Sequence, residues 1–276
     1  MRIDSHQHFW SHDERQYPWI PKGSPLHRDW LPDDLAREEA KVGIDGSVAV
    51  QARQSLEESR WLLTLADHSP RIKAVVGWVD LCSERVEEQL EEFTKHPRFV
   101  GVRHVVQDEP DDRFLLRPDF LRGISKLKAF RLTYDILIYP KQLPAAIELS
   151  RRFPEQPFVV DHLAKPRIKE RTLSPWREQM HELGQAPNVS CKLSGMVTEA
   201  DRSAWKAEDF EPYLDAAFAS FGEDRLMFGS DWPVCLLAAS YAQVHEIVAK
   251  YLERQPASAR DKVMGLNAAR FYRIAA

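Results

Sequence analysis

The chain has 276 residues, of which 43% are hydrophobic and 29% are charged, and its formal net charge is -4. This composition predicts a soluble globular protein with a sizeable core. It shows neither the basic block of a nucleic-acid-binding protein nor an apolar run long enough to span a bilayer, so we expect no nucleic acid and no membrane as partners. Three cysteines, Cys82, Cys191 and Cys235, form no disulfide framework and favour a cytoplasmic location.

Eight β-rich runs alternate with helical segments along the chain. The first run lies within residues 1–10, and the others are predicted at 46–51, 74–80, 99–104, 131–137, 158–162, 189–193 and 226–231. Helices are predicted at about 32–43, 55–67, 84–95, 119–130, 143–153, from 175, at 210–221, at 241–253 and from 258. Residues 11–31 form a long irregular connection, rich in Pro and Trp, of a length typical of lids and binding loops.

This alternation predicts the fold class. Buried parallel strands read as near-continuous apolar runs, as these do. Eight βα units in a chain of this length predict a (β/α)8 TIM-type barrel, formed as one domain over residues 1–276. A doubly wound open sheet is the alternative, and it is less favoured because no glycine-rich phosphate turn follows the first strand.

The first strand ends in a His-x-His pair, His6 and His8. Side chains alternate between the two faces of a strand, so these imidazoles are expected on the same face. Two adjacent imidazoles bind a metal ion or polarise a bound carbonyl group. Alone, the pair is a weak signal, and its meaning depends on what the other strands bring beside it.

Polar residues stand at the ends of almost all the predicted strands, where the active site of such a barrel lies. Besides the His pair they are Gln51, Trp78, Asp80, Arg103, His104, Tyr134, Asp135, His162, Lys192 and Asp231. An ordinary structural role is the more frequent one for Asp80, Asp135, Lys192 and His104. Because Asp161 and His162 are adjacent in a strand, we expect only His162 to face the barrel mouth, with Asp161 and Asp4 making structural hydrogen bonds.

Four motifs resemble one known family. They are Asp4-Ser-His-Gln-His-Phe-Trp10, Asp161-His-Leu-Ala-Lys-Pro166, Cys191-Lys-Leu-Ser-Gly195 and Gly229-Ser-Asp-Trp-Pro233. Together with the closing run from Gly265 to Tyr272, they resemble the amidohydrolase superfamily and, within it, the sugar-lactone hydrolase branch. The resemblance covers nearly the whole chain. It implies a TIM-type barrel that hydrolyses a cyclic ester, a six-carbon aldonolactone such as L-fuconolactone being the first candidate.

The sequence departs from the two-metal members of this superfamily. Those members carry a bridging Lys or Glu on strand four and a His on strand five, where this chain has Arg103-His104 and Tyr134-Asp135. The ligands that remain are His6, His8 and Asp231, with His162 as a further candidate, which suffice for one divalent ion such as zinc. We therefore expect no required cofactor, or one divalent ion at most.

The roles follow from the chemistry of a lactone. Asp231 is the candidate general base, since Gly229 allows close backbone approach; a helix cap or an arginine partner is its structural alternative. The imidazoles of His6, His8 and His162 and the positive charge of Arg103 would polarise the carbonyl group. The candidate substrate-binding residues are Gln51, Arg53, His104 and the aromatic walls Trp30, Trp78 and Trp232.

Two alternatives remain open at this point. One is a metal-dependent decarboxylase or hydratase on the same barrel, which would need a firmly bound ion. The other is a non-catalytic sugar-binding barrel. The sequence sets neither the ring size and stereochemistry of the lactone nor the oligomeric state, for which a homo-oligomer is a candidate.

Overall fold

The computed structural model describes residues 1–275, and its centre is one sheet of eight parallel strands that follow one another in chain order. The strands are β1 (Ile3–Gln7), β2 (Gly46–Val50), β3 (Ile72–Gly77), β4 (Phe99–His104), β5 (Thr133–Ile136), β6 (Phe158–Val160), β7 (Val189–Leu193) and β8 (Leu226–Phe228). Each strand pairs in parallel with the next.

Helices follow the strands on the outside. They are α1 (Pro32–Val42), α2 (Leu56–His68), α3 (Val86–Phe93), α4 (Pro118–Leu127), α5 (Leu143–Arg152), α6 (Trp176–Gly184), α7 (Met196–Glu199), α8 (Glu211–Phe221), α9 (Tyr241–Leu252), α10 (Ala257–Asp261) and α11 (Asn267–Tyr272). The predicted cap is present at α2, where Ser55 Oγ accepts a hydrogen bond from the backbone N–H of Glu58 at 3.3 Å. Within residues 1–275, no helix is both long and apolar enough to cross a membrane.

The sheet closes between β8 and β1 at their carboxyl ends. The backbone N–H of Asp231 donates to His6 O at 2.8 Å, and that of His8 donates to Trp232 O at 2.7 Å. A Cβ atom on Gly229 would lie 2.8 Å from the Cβ of His6, so only glycine permits this approach. The predicted (β/α)8 barrel is confirmed, and the open doubly wound sheet is not formed.

The lower half of the barrel is filled by apolar side chains. Ile3, Val48, Val50, Ala74, Val76, Val100, Val159 and Met227 form one buried cluster with Ala268 and Tyr272 of α11. Large branched side chains of this kind make the interior of such a barrel a packed core rather than a pore. Polar groups are therefore restricted to the upper half of the interior and the mouth.

The end of β6 differs from the prediction. The strand stops at Val160, and His162, Leu163, Ala164 and Lys165 all adopt the left-handed backbone conformation, with φ between 51° and 56°. The alternation of faces therefore does not extend to His162. Both residues contact the cluster around His6 and Asp231, but His162 lines the cavity at the barrel mouth whereas Asp161 lies beneath it and makes structural hydrogen bonds, as expected.

Residues 11–31 fold back over the rim of the barrel. Trp30 and Trp10 exchange two backbone hydrogen bonds of 3.1 and 2.9 Å, which bring the two ends of the connection together. Tyr17, Ile20 and Leu26 pack around the buried indole of Trp10. The connection is thus an ordered loop with its own small core, and it forms part of the wall above the barrel mouth.

Candidate active site

A cavity of about 680 Å³ opens at the carboxyl ends of the strands. Five of the side chains predicted for the site line it: His8, Arg53, Arg103, His162 and Asp231. They come from the ends of β1, β2, β4, β6 and β8, which the closed barrel brings to one mouth.

Asp231 lies among three imidazoles. Its Oδ1 is 3.3 Å from His8 Nε2 and 3.8 Å from both His6 Nε2 and His162 Nε2. His6 Nε2 and His8 Nε2 are 3.2 Å apart, as expected for two side chains on the same face of β1. We call His8, His162 and Asp231 the upper layer, because their side chains are 4–6% exposed and line the cavity.

The protonation of the upper layer follows from its partners. His8 Nδ1 lies 2.8 Å from the carbonyl oxygen of Val50, which can only accept, so this nitrogen carries a proton and donates it. Burial alone would raise the pKa of Asp231, but the neighbouring His162, His8 and His6 hold it well below its usual range. Burial lowers the pKa of His162 to about 4. At neutral pH, Asp231 is therefore ionised and His162 is neutral.

Arg103 presents a fixed positive charge to the same cavity. Its Nη1 donates to Asp161 Oδ2 at 3.0 Å and lies 3.2 Å from His6 Nε2, while its Nη2 donates to the carbonyl oxygen of Gln51. The side chain is 4% exposed. An arginine held on this many sides is oriented before any substrate enters.

Beneath the cavity lies a lower layer of charged side chains, formed by Lys192, Asp135 and Asp161. All three are fully buried, and Lys192 Nζ is 2.5 Å from Asp135 Oδ2 and 2.9 Å from Asp161 Oδ1. The hydroxyl group of Tyr272 also donates to Asp135, at 2.7 Å. Burial would raise the pKa of Asp161, but Lys192, His6 and Arg103 hold it well below its usual range.

His6 connects the two layers. Its Nδ1 lies 3.1 Å from Lys192 Nζ and 3.2 Å from Asp161 Oδ1, and its Nε2 points to the upper layer. The ring is fully buried and does not line the cavity. Burial lowers the pKa of His6 well below its ordinary value, so this imidazole is neutral and its tautomer is set by the groups on its two nitrogens.

Two other predicted contact residues lie behind the cavity wall. Gln51 is fully buried, and its Nε2 donates to the carbonyl oxygen of Arg103 at 3.3 Å, so it supports the arginine instead of facing a sugar. His104 contacts Glu109, which does line the cavity, and accepts a hydrogen bond from Trp78 Nε1 at 3.3 Å. Neither Trp78 nor His104 is part of the lining.

The tryptophans Trp30 and Trp232 also lie outside the cavity. Trp232 is 1% exposed and packs its ring against Phe9 and Trp30. The guanidinium group of Arg28 covers Trp30 at 3.6 Å from the ring centre. Trp232 is thus a core residue, and Trp30 is partly buried against the core; neither forms an aromatic wall of the cavity.

The cavity contains residues that the sequence did not single out. Trp19, 43% exposed, is the aromatic side chain in the lining, and Gln54, Glu109 and Lys165 are polar members of it. Two signals were available: Trp19 lies in the connection identified as a binding loop, and Lys165 lies in the motif that begins at Asp161. Nothing in the local sequence distinguishes Glu109 from the other acidic residues of its loop.

The donor atoms at this mouth fit one divalent ion. His6, His8 and Asp231 each offer a ligand atom within 4.8 Å of the others, and His6, Asp161 and His162 form a second such group. The bond from His8 Nδ1 to Val50 O leaves Nε2 as the ligating nitrogen, the arrangement found around zinc-bound imidazoles. Arg103 Nη1 lies 3.2 Å from His6 Nε2, so a fixed positive charge stands beside these donor atoms.

The chain belongs to the amidohydrolase family, whose model matches residues 3–274. This confirms the resemblance drawn from the four motifs. Among curated proteins, the L-fucono-1,5-lactonase of Burkholderia multivorans is 44% identical, with 99% of this chain and 96% of the relative covered. The L-fucono-1,5-lactonase of Burkholderia ambifaria is 38% identical, with the same shares covered.

A solved structure extends this similarity to three dimensions. An amidohydrolase from Burkholderia multivorans with bound zinc is 43% identical, covers both chains completely and superposes with a TM-score of 0.96. A second crystal form of a protein from the same organism holds HEPES and gives a TM-score of 0.95. The barrel of this chain is thus closely similar to that of a relative known to bind zinc in the crystal.

Proposed function

We propose that this chain hydrolyses the ring of a six-carbon aldonolactone to the free sugar acid, with L-fucono-1,5-lactone as the first substrate to test. Two relatives of 44% and 38% identity carry that activity in their names. The observation that carries the proposal is the pairing of an ionised carboxylate, Asp231, with the guanidinium group of Arg103 in one cavity. Ester hydrolysis needs this combination of a base and an electrophile.

The first step is the attack of water on the lactone carbonyl carbon. Asp231 is placed to accept the proton that this water loses as its oxygen forms the new C–O bond. The histidines around Asp231 keep it ionised, and therefore able to accept a proton, at neutral pH. The same contacts orient the carboxylate toward the cavity, whereas an aspartate without such partners would not be held in one orientation.

The second requirement is stabilisation of the oxyanion formed at the carbonyl oxygen. Arg103 supplies a fixed charge with donor N–H groups in a water-poor site, where such a charge has its largest effect. Its bonds to Asp161 and to the carbonyl oxygen of Gln51 hold it in place before reaction. No reorganisation of the arginine is then needed at the transition state.

The third step is departure of the ring oxygen. As the tetrahedral intermediate collapses, the bond from the carbonyl carbon to the ring oxygen breaks, and Asp231 returns its proton to the departing oxygen. The products are a hydroxyl group and a carboxylic acid on one open chain. The acid ionises at neutral pH, so one proton is released for each lactone opened.

We propose that the histidines and Asp231 can hold one divalent ion without its being required. A bound ion, held by His6, His8 and Asp231, would act as a Lewis acid for the carbonyl oxygen or for water. Arg103 already supplies positive charge beside His6, so the same step has an electrophile from the chain itself. Among the remaining candidates, Arg53 lines the cavity and is proposed to bind a sugar hydroxyl group.

The other two functions considered from the sequence are less favoured. Two curated relatives of 44% and 38% identity are named for lactone hydrolysis, which agrees with neither a decarboxylase or hydratase nor a non-catalytic sugar-binding barrel. The assignment of residues 1–276 to one domain, the cytoplasmic location and a homo-oligomeric state stay predictions.

A pH-indicator assay tests the proposal directly. The protein is incubated with L-fucono-1,5-lactone and a panel of six- and five-carbon aldonolactones, before and after treatment with a strong chelator, and its metal content is measured. We expect acid release that is fastest on a six-carbon lactone and that survives chelation. The absence of acid release from every lactone of the panel would contradict the hydrolase function. Activity that is lost on chelation and regained with zinc would contradict only the proposal that the ion is not required.

A further inference from the structure

The connection between β4 and α4 presents a carboxylate, Glu109, to the catalytic cavity. Its backbone is held from two directions. The N–H of Val105 donates to Gln54 Oε1 at 2.8 Å, and Gln142 Nε2 donates to the carbonyl oxygen of Val106 at 2.7 Å. A carboxylate on a segment held in this way has a defined position before any ligand enters.

The side chain of Glu109 is held by a chain of hydrogen bonds through the wall. Trp78 Nε1 can only donate, and it donates to His104 Nδ1 at 3.3 Å. In the neutral imidazole, the proton of His104 must then lie on Nε2, which is 2.7 Å from Glu109 Oε1. The order is therefore Trp78 to His104 to Glu109, with each group donating to the next.

Packing holds the middle member of this chain. The ring of His104 stacks on Phe114, with centroids 4.8 Å apart and an interplanar angle of 14°. Burial lowers the pKa of His104, which keeps the imidazole neutral at physiological pH. His104 therefore acts as an oriented donor and not as a counter-charge to Glu109.

We propose that Glu109 determines specificity by accepting a hydrogen bond from a hydroxyl group of the lactone, and that His104 and Trp78 are positioning residues for it. The identity of the ligand rests on the proposed function. Glu109 is 24% exposed on its side chain, so its carboxylate is accessible from the cavity. One bond to His104 uses only part of the acceptor capacity of a carboxylate, which has two oxygens.

The chemistry selects a polyhydroxylated ligand. A carboxylate accepts a hydrogen bond from a hydroxyl group; it has no proton to donate to an ether oxygen, and a methyl group or a ring C–H group offers it no O–H donor. A site built to bond a hydroxyl group rejects an analogue that lacks it, because its own polar group is then left without a partner. The proposal gives one shared role to Trp78 and His104, which the sequence predicted as substrate-binding residues but which do not line the cavity.

The first test replaces the carboxylate by an amide. In Glu109→Gln, the amide oxygen must face His104 Nε2–H, so the amide nitrogen, a donor, is turned toward the cavity. We expect KM for the best hydroxylated lactone to rise about tenfold to a hundredfold, the range for a hydrogen bond to a charged group, with kcat little changed. The rise should largely disappear for the monodeoxy lactone that lacks the contacted hydroxyl group.

The matched control is Asp112→Asn, which removes a negative charge from the same connection. Asp112 pairs with Lys141 Nζ at 2.7 Å on the surface. We expect this variant to retain the KM of the unaltered protein. An equal rise in both variants would assign the effect to general charge and overturn the role of Glu109.

A second test addresses the positioning residues. Trp78→Phe removes the donor that selects the tautomer of His104, and we expect a smaller rise in KM. In the double variant Trp78→Phe/Glu109→Gln the two effects should not add, since both act on one contact. The control is Trp205→Phe, which removes an indole donor bonded to the carbonyl oxygen of Ala238 outside the cavity.

Calorimetric binding separates this proposal from the proposed function. The Asp231→Asn variant is titrated with L-fucono-1,5-lactone, with and without the Glu109→Gln change. A Kd weakened by the Glu109 change, together with no turnover of any lactone by the unaltered protein, would contradict hydrolysis and support the contact. An unchanged Kd, or no binding of any hydroxylated lactone, would overturn the contact itself.

Discussion

The two layers of polar side chains inside the barrel both combine carboxylates with basic side chains, but they differ in their exposure to the cavity. In the lower layer, Lys192 lies between Asp135 and Asp161, and all three side chains are fully buried. In the upper layer, Asp231 faces His8 and His162 and borders the cavity. The side chains of the lower layer form ion pairs with one another, whereas those of the upper layer have one side open to the cavity.

This difference in exposure favours a structural role for the lower layer and a catalytic role for the upper layer. In the lower layer one ammonium group pairs with two buried carboxylates, and removing it leaves uncompensated buried charge. An ionised carboxylate at the edge of a cavity can exchange protons with a ligand. His6 joins the layers, so the position of the reactive groups depends on the lower layer without that layer contacting substrate.

The largest expected effect comes from the upper layer. Asp231→Asn removes the general base and should lower kcat on the best lactone by about 10²- to 10⁴-fold. The unfolding midpoint should change little, because the amide can keep a contact to His8. Steady-state kinetics and thermal unfolding measure the two quantities, and Asp201→Asn, at an exposed acid bonded to Ser203, serves as control. Turnover within a few-fold of the unaltered protein would exclude Asp231 as the base.

The next effect tests the lower layer. Lys192→Met leaves Asp135 buried without a cation and leaves Asp161 with Arg103 alone, so the free energy of unfolding should fall by about 3–5 kcal/mol. Lys262 is a matched control, since its Nζ lies 2.5 Å from Glu223 and 2.8 Å from Asp224 but its side chain is 30% exposed. Lys262→Met should cost no more than about 1 kcal/mol.

Denaturant unfolding of both lysine variants makes the comparison. Equal losses of stability in the two variants would show that burial does not determine how much each ion cluster contributes to the free energy of unfolding. A stable Lys192→Met protein with full activity would contradict the supporting role of the lower layer.

A smaller effect concerns the rim. Glu58 is 1% exposed, and it accepts hydrogen bonds from the hydroxyl group of Tyr17 and from the backbone N–H groups of Ala52 and Arg53. Burial raises its pKa from 4.5 to about 7. Between these values the folded state binds more protons than the unfolded state, so stability falls as pH rises, by up to about 3 kcal/mol from this group.

The measurement is the free energy of unfolding at pH 5 and pH 7, for the unaltered protein and for Glu58→Gln. The amide does not titrate, so the variant should lose this part of the pH dependence. Its stability at pH 5 should stay close to that of the unaltered protein, because the amide oxygen can accept from the N–H groups of Ala52 and Arg53 while the amide N–H₂ group donates to the hydroxyl group of Tyr17. An identical pH slope in both proteins would mean that Glu58 is not protonated on folding in this range.

The barrel and the convergence of the main candidate site residues could be predicted because they depend on local periodicity. Eight apolar runs separated by amphipathic segments have few ways to pack, and closing them in order brings the strand ends together. His8, Arg103 and Asp231 are strand-end residues, so their convergence followed from the fold class. The sequence alone thus determined the architecture, the position of the mouth and the presence of a carboxylate and a guanidinium group there.

The tertiary structure decided which of the remaining side chains reach the cavity. His162 and Asp161 both reach the histidine cluster because the left-handed backbone after β6 breaks the alternation of faces. Trp19 lines the cavity whereas Trp232 is buried, because residues 11–31 fold back through contacts between Trp10 and Trp30.

Glu109 is the clearest case of a residue that only the structure identifies. Its proposed role depends on Trp78 and His104, which stand at the ends of the neighbouring strands β3 and β4. No local sequence pattern links these two residues to Glu109. Periodicity reports which face of its own element a side chain occupies. It carries no information on contacts between loops, because these depend on long-range packing that forms only when the barrel closes.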